Sequence, residues 1–369
     1  PSTGRILTNF IDEFVDDFHG FVNCDIFNKY FFIHGGGLAV ENALKIAFDW
    51  KRYINNKNGI KVDGNEMKVI ALKDAFHGIT GYGLSLSANE LKCSHFPKFN
   101  WPKFEAPYVT FPCNEGDDQE FKKAQIQALN SIEEYIEQTG KQYIASMIIE
   151  LVQGGGGDKH LGQEYVRGLK DICDKNDILF IIDEVQTGFG VSGKLWCYEH
   201  YGVAPHILTF GKKAQISGVC IGGHIPEIEN VTNVPGRLSP TWNGDISDYI
   251  RCKYIMKAFK DDYLIENAAE LGQYIISELN KMNNFSVYKS EFKHLKHTMT
   301  DVDEMTFMKL IVDNQSDRVV GAHMIGEDAG EIIQGIAIAM NAGVTKTQFD
   351  STIGIHPHCK ASYNLYVSG

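Results

Sequence analysis

Asp183 and Lys212 are the two residues whose types and positions would let them do chemistry together. Asp183 closes the apolar run ILFIID, and Lys212 follows a second apolar run, ILTFG. A carboxylate at the end of a buried strand is costly unless a cationic group faces it, and a lysine at a strand end suits imine formation with an aldehyde. Each residue also has an ordinary alternative. Asp183 could cap a loop, and Lys212 could form a solvated surface pair with Lys213.

A glycine-rich segment, FFIHGGG, stands directly before the helical pattern LAVENALKIAFDWKRYI. Small residues at a helix start leave backbone N–H groups free to bind a phosphate, which the helix dipole also favours. Such helix entries are common, so this segment alone identifies no ligand. A glycine-rich phosphate loop, an aromatic residue at a strand end (Phe76), a buried Asp183 and Lys212 occur in an order that would build a complete site for pyridoxal phosphate.

Four short apolar runs, rich in β-branched residues, would position these groups at strand ends: residues 68–75, 146–152, 178–185 and 207–210. The segments between them have helical periodicity. This alternation predicts an α/β domain over residues 1–245, with a mainly parallel sheet buried on both faces. Functional polar groups gather at the strand ends of such a sheet.

Two helical segments of this domain have specific expectations. In the helix after the glycines, we expect Leu38, Ala43, Ala47 and Tyr53 on the buried side. The next long helical stretch is predicted over roughly residues 245–282. Residues 246–283 would form a helical segment that connects the large domain to the rest of the chain.

The C-terminal part of the chain has a different pattern of predicted strands and helices. Residues 305–313 and 318–325 alternate in polarity around a polar turn, which predicts an antiparallel hairpin. Residues 327–343 pattern as one helix capped by Gly343. We therefore expect a separate small α+β domain over residues 284–369.

Charge and cysteine usage limit the kinds of partner. A formal charge of -12 argues against a broad electrostatic grip on nucleic acid or on an anionic membrane. There is no signal-peptide pattern at the start, and no apolar run approaches the ~18 residues that a membrane span needs. The eight cysteines form no CxxC pair and no zinc pattern, which favours a reducing compartment. We expect a small-molecule substrate and a cytoplasmic location.

Several longer segments carry a resemblance to a known family. FFIHGGGLAVENALKIAFDWK, AFHGITGYGLSLS, FPKFNWP and DEVQTGFG followed by FGKK resemble the class III (subgroup II) aminotransferases over roughly residues 1–283. The resemblance implies pyridoxal-phosphate-dependent transferase fold type I. It is strongest to members that act on the ε-amino group of lysine. The resemblance therefore implies transfer of an amino group from L-lysine, or from a similar amine, to the 2-oxo acid 2-oxoglutarate.

The resemblance also implies roles for residues around the cofactor ring. Lys212 would carry the Schiff base and serve as the proton-transfer base, and Lys213 would be its surface neighbour. Asp183 would keep the pyridine nitrogen protonated. Gln186 would reach the phenolic oxygen. The two residues that would pack on the faces of the ring are Phe76 and Val185.

Further implied roles concern the phosphate, the substrate and assembly. Gly36 and Gly37 would give backbone N–H groups to the phosphate. Thr241, in SPTWNG, would bind the phosphate of the neighbouring subunit, which implies a homodimer with shared sites. Glu150 begins ELVQGGGGD, which matches a family motif, and is the implied substrate-binding residue.

Two positions depart from the family pattern. Ile79 stands where related enzymes have an arginine that holds a substrate carboxylate, and Gly155 replaces a glutamate that lets two substrates share one site. The cofactor chemistry is thus expected to be intact and substrate recognition damaged. The alternative hypothesis is a dimerising protein that binds pyridoxal phosphate without efficient catalysis.

The sequence from about residue 288 resembles the dimerisation domain of glutathione reductase and its relatives. That family has a His-Pro pair followed by a glutamate; His356 and Pro357 are present, but no acid follows. No FAD-binding start and no CxxxxC pair accompany it, so we expect association rather than disulfide reduction.

Three glycines after the run ILFIID match a dinucleotide-binding fingerprint. Gly188, Gly190 and Gly193 fit GxGxxG. Lys213 stands near the place where that motif needs an acid, so the match predicts no nucleotide site.

Overall fold

A computed structural model describes residues 9–22, 25–109, 119–222, 234, 236–238, 245–281, 285–293, 305–326 and 328–352. The chain divides into two compact units, an N-terminal unit of residues 1–272 and a C-terminal unit of residues 273–369. The site residues predicted above all belong to the N-terminal unit.

The strands of the N-terminal unit are short and mostly buried. They are β1 Phe27–Ile33, β2 Lys68–Leu72, β3 Lys103–Phe104, β4 Tyr108–Val109, β5 Ile144–Ile149, β6 Val152–Gln153, β7 Lys159–Leu161, β8 Leu179–Asp183, β9 Ile207–Phe210 and β10 Ser217–Gly222. Seven of them form the main sheet in the order β1-β10-β9-β8-β5-β2-β3.

The helices of the N-terminal unit alternate with these strands. They are α1 Asn9–Val22, α2 Gly36–Lys57, α3 Gly81–Leu86, α4 Glu90–Cys93, α5 Gln119–Thr139, α6 Gln163–Lys175, α7 Tyr198–Tyr201, α8 Ile246–Asp261 and α9 Leu264–Lys281, the last of which continues into the C-terminal unit. Short 3₁₀ turns cover Gly64–Glu66, Lys141–Tyr143 and Lys212–Ala214. No helix within the described residues is long and apolar enough to cross a membrane.

The main sheet is mainly parallel, which confirms the predicted α/β class. Strands β9, β8, β5, β2 and β3 pair in parallel, and β10 and then β1 are added antiparallel at one edge. A second small sheet pairs β4, β7 and β6. Consecutive parallel strands need a crossover connection, and the helices supply it.

Helices cover both faces of the sheet, and successive strand residues point to opposite sides. On β5, Met147 and Ile149 enter the core that α1, α5 and α6 cover, whereas Ile148 between them enters the core beneath α2. A mostly apolar strand such as IASMII is what a sheet covered on both faces requires.

The expected buried face of α2 was half wrong. Ala43 and Ala47 are fully buried, but Leu38 is 40% exposed and Tyr53 is 36% exposed. At about 100° per residue, Leu38 points away from Ala47, and Tyr53 points away from Leu44, because each pair is nine residues apart. The buried face instead runs through Val40, Ala43, Leu44, Ala47 and Trp50.

The helical stretch predicted over residues 245–282 is two helices rather than one. Helix α8 ends at Asp261 and α9 begins at Leu264. Tyr263 between them has a φ of 50°, in the left-handed region, which cannot continue an α-helix. Helical periodicity alone does not reveal such a break.

The C-terminal unit contains an antiparallel sheet of β11 Phe285–Lys293, β12 Met305–Asp313 and β13 Val319–Ile325. Helix α10 Ala329–Asn341 covers it, and α11 Lys346–Ser351 follows. Gly343 has a φ of 78° just past α10, as the predicted cap requires. The core of this unit comprises Met308, Leu310, Val312, Val319 and Ile336. The expected small α+β architecture is thereby confirmed.

Candidate active site

A cavity lies where the chain leaves the carboxyl ends of the parallel strands. Phe76 follows β2, Glu150 follows β5, Asp183 ends β8 and Lys212 follows β9, so the sheet brings them together. The remaining lining residues are Gly36, Gly37, Val40, His77, Gly78, Val152, Gly155, Val185, Gln186 and Thr187. Every predicted site residue lines this cavity except Thr241, which lies outside the described residues.

Asp183 is a buried acid with three hydrogen-bond donors around it. It is 6% exposed and accepts hydrogen bonds from Thr209 Oγ1 at 2.9 Å and from the backbone N–H of Val185 at 3.2 Å. The imidazole Nδ1 of His77 lies 2.8 Å from its other oxygen. These contacts hold the carboxylate at the cavity wall in one orientation, ready to face a cationic group.

Lys212 is the lysine that reaches the cavity. It begins the 3₁₀ turn after β9 with a φ of 47°, and its Nζ donates to Gln186 Oε1 at 2.7 Å. Lys213 is half-buried, and its Nζ donates instead to the backbone carbonyl of Gln186. Burial, and secondarily the charge of Lys212, lowers the pKa of Lys213. The two adjacent lysines thus take separate places, and only Lys212 lines the cavity.

Neighbouring residues pack closely against the glycines at the start of α2, so that only small residues fit there. A Cβ at Gly36 would lie 2.7 Å from Val185 Cγ1, and a Cβ at Gly37 would lie 3.4 Å from Thr80 Oγ1. The backbone of α2's first turn therefore faces the cavity directly. Its N–H groups have no partner within the helix, which is the usual basis of phosphate binding at a helix start.

Glu150 is a second acid in the cavity wall. It is 6% exposed and accepts a hydrogen bond from the backbone N–H of Phe76 at 2.8 Å. Burial raises the pKa of Glu150 to about 7, with His77 opposing and Asp183 adding to the shift. Glu150 can therefore hold or release a proton near neutral pH, in the same cavity as Asp183.

Comparison with known proteins identifies the family. Residues 9–293 match the sequence profile of the class-III aminotransferases, which is well over half of the chain. The chain belongs to the class-III aminotransferase family. Pyridoxal phosphate is the cofactor of this family, in agreement with the predicted site.

The curated relatives of this class-III aminotransferase include L-lysine-epsilon aminotransferases. That of Mycobacterium tuberculosis is 38% identical over 284 residues, covering 76% of this chain and 62% of the relative. That of Amycolatopsis lactamdurans is 36% identical over 277 residues, covering 74% of this chain and 61% of the relative. The chain thus spans less than two thirds of the length of these relatives.

Solved structures agree with the fold. A lysine aminotransferase from Mycobacterium tuberculosis, in the internal aldimine form, aligns with a TM-score of 0.72 at 30% identity, covering 93% of this chain and 81% of the other. An amine transaminase from an uncultivated Pseudomonas species aligns with a TM-score of 0.62 at 22% identity, covering 81% and 70%. The second likeness supports the fold alone. Fold type I is confirmed.

The C-terminal resemblance is also confirmed. Residues 277–365 match the profile of the pyridine nucleotide-disulphide oxidoreductase dimerisation domain. His356 and Pro357 of the expected motif lie outside the described residues, as does Thr241.

The two departures from the aminotransferase pattern lie at or near the cavity. Ile79 is 50% exposed on the loop after His77. Gly155 lines the cavity, and a Cβ there would lie 3.0 Å from Phe76 Cβ. The loop at Gly155 therefore packs against Phe76, and no vacant space lies between them where a larger side chain at position 155 would fit.

Sequence reasoning missed three polar residues that support the site. His77 and Thr209 hold Asp183, as described above. Glu184, 1% exposed, accepts from the backbone N–H groups of Cys197 and Tyr198, each at 2.7 Å, and so ties the loop that carries Gln186. Burial raises the pKa of Glu184 to about 7. The only sequence signal was a second acid next to Asp183, in a run otherwise apolar.

The glycines of the rejected dinucleotide fingerprint lie in a turn after β8. Gly190 and Gly193 have φ values of 82° and 81°, and the next helix, α7, begins five residues after Gly193 and has four residues. A dinucleotide motif instead enters a long helix directly. The geometry supports rejecting that motif.

Proposed function

We propose that this chain binds pyridoxal phosphate in the cavity and transfers an amino group from the ε-amine of L-lysine, or from a similar amine, to 2-oxoglutarate. The observation that carries the proposal is the convergence of Asp183, Lys212 and the glycine start of α2 on one cavity. The lysine ε-aminotransferases among the relatives support the choice of donor.

The residues present fit the cofactor. Gly36 and Gly37 would give backbone N–H groups to the phosphate, and a Cβ at Gly36 would collide with Val185, which also lines the cavity. Asp183 is a buried carboxylate whose protein contacts include no lysine or arginine among the described residues, so a protonated ring nitrogen would be its cationic partner. Phe76 and Val185 would pack on the two faces of the ring.

Pyridoxal phosphate supplies an aldehyde and an electron-withdrawing ring when bound. Asp183 would hold a proton on the ring nitrogen. Lys212 would hold the aldehyde end of the cofactor through its Nζ and would accept and return a proton as general base. Gln186, which accepts from Lys212 Nζ at 2.7 Å, orients that amine and would then reach the phenolic oxygen.

A second candidate function is binding of pyridoxal phosphate with little catalysis. Ile79 and Gly155 favour it, because neither can pair with a substrate carboxylate. Glu150 is the substrate-facing acid that remains, and it would repel a carboxylate when ionised.

Assembly and location belong to the same proposal. We expect a homodimer in which Thr241 reaches the neighbouring subunit's phosphate, and in which the C-terminal unit contributes to association. A cytoplasmic location agrees with buried cysteines of the described residues that form no disulfide, which include Cys93, Cys173, Cys197 and Cys252.

A spectral titration tests the proposal. Added pyridoxal phosphate should give a new band near the visible range, and borohydride reduction with peptide mapping should place the label on Lys212. Lys212→Ala should abolish the covalent adduct, whereas its matched control Lys213→Ala should retain it. A label on Lys213 would overturn the assignment.

Adding lysine, then 2-oxoglutarate, distinguishes the two candidates. Cyclic loss and recovery of the band, with glutamate as product, supports transamination. A stable band that neither compound changes supports binding alone.

A further inference from the structure

Glu41 is a buried carboxylate that the proposed chemistry does not use. It lies on α2, one turn after Gly37, and is 8% exposed. Its Oε1 accepts from the backbone N–H of Gly83 at 3.1 Å and from Thr80 Oγ1 at 3.4 Å. The backbone N–H of Tyr82 also donates to it. Burial raises the pKa of Glu41, and these donors partly offset the shift.

All three donors belong to the start of α3. The first N–H groups of a helix need acceptors from outside that helix. Thr80 occupies the N-cap position of α3, but its side chain makes no cap hydrogen bond. Glu41, from a different helix, supplies the acceptor instead. One carboxylate therefore joins α2 to the chain that leads into α3.

The chain before α3 packs tightly against the glycine start of α2. A Cβ at Gly78 would lie 3.0 Å from the Cα of Gly37, and a Cβ at Gly81 would lie 2.8 Å from a carboxylate oxygen of Glu41. Both glycines have positive φ, 92° and 28°. Larger residues at these two positions would collide with α2 or strain the backbone, so this close approach depends on the two glycines.

The same loop begins with the two cavity residues Phe76 and His77. We propose that Glu41 is a positioning residue that clamps the loop of residues 76–80 onto the phosphate-binding start of α2. The contacts to the ring and the contacts to the phosphate then form as one unit. This inference rests on the proposed binding of pyridoxal phosphate.

The test uses the full chain freed of cofactor. Glu41→Gln keeps the shape of the side chain but places an amide N–H among donors. We expect its dissociation constant for pyridoxal phosphate to rise about tenfold, the effect of losing a charged hydrogen bond. We also expect weaker circular dichroism of the bound cofactor at saturation, because the ring is held less rigidly.

A double-mutant cycle identifies the route of the effect. In a Phe76→Leu background, Glu41→Gln should weaken binding by no more than about threefold, because the clamped residue is already gone. Equal effects in both backgrounds would overturn the inference. So would binding within twofold of the parent with an unchanged dichroic band, even if the melting temperature fell.

Control variants separate positioning from general destabilisation. Glu134→Gln, on the exposed side of α5, should change nothing, and Ile132→Val should lower stability without affecting cofactor binding. If Glu41→Gln does not fold, Glu41→Asp decides by the same criteria, since it retains the charge but shortens the reach. A parent chain that fails to bind pyridoxal phosphate would overturn the proposed function itself, whereas equal binding by parent and variant overturns only this inference.

Discussion

Replacing Asp183 by asparagine should slow the half-reaction with lysine by about 10²- to 10³-fold while leaving some cofactor bound. The substitution removes the charge that faces the ring nitrogen, a loss of about 1.5–3 kcal/mol for a hydrogen bond to a charged group. The asparagine NH₂ group would also face either Thr209 or His77, which both donate to the carboxylate of Asp183. One buried donor would then lack an acceptor, which costs about 1–3 kcal/mol. A combined loss of about 3–4 kcal/mol corresponds to that range of rate.

Stopped-flow absorbance is the assay for this prediction. The rate at which the cofactor band decays after mixing with saturating lysine should be compared for the parent and Asp183→Asn. Thr209→Val is the matched control, because it removes one donor but keeps the carboxylate, and it should cost no more than about tenfold. An asparagine variant within threefold of the parent rate would refute the role given to Asp183.

Three further predictions concern Ile79, Gly155 and the buried Lys51 of α2. Ile79→Arg should raise kcat/KM for 2-oxoglutarate by about tenfold or more, since a paired carboxylate contributes about 1.5–3 kcal/mol; steady-state kinetics with lysine as donor measure this, and no gain would show that the arginine cannot reach the substrate. Gly155→Glu should not raise activity and should weaken cofactor binding, because its Cβ would lie 3.0 Å from Phe76 Cβ; tighter binding in a spectral titration would contradict the packing. Burial lowers the pKa of Lys51 to about 8 from 10.5, so between these pH values the unfolded chain holds a proton that the folded chain has released. The N-terminal unit should therefore gain about 3 kcal/mol of stability as pH rises through that window, and Lys51→Met should abolish the gain. Urea unfolding followed by tryptophan fluorescence reports on this unit, because all four tryptophans precede residue 273, and equal pH slopes for parent and variant would disprove it.

The fold class and most of the cavity wall could be predicted from the sequence. Mostly apolar runs such as IASMII and LFIID predict buried strands. Parallel strands place their carboxyl ends at one edge of a sheet. Asp183 and Lys212 each follow from that rule, since one ends a strand and the other comes just after one. The glycines before α2 are recognisable because only small residues suit a helix start that faces a phosphate.

The supporting contacts were decided by the tertiary structure. His77 lies 106 positions from Asp183, and Glu41 lies 42 positions from Gly83, so no local pattern pairs them. The helix break at Tyr263 and the exposure of Leu38 and Tyr53 could not be predicted from local sequence either. Neighbouring elements determine which face of a helix is covered and where the helix ends. Short-range periodicity in the sequence indicates which residues are buried. Which polar groups meet across the sheet depends on how the strands are ordered, and the strand order is a property of the whole folded chain.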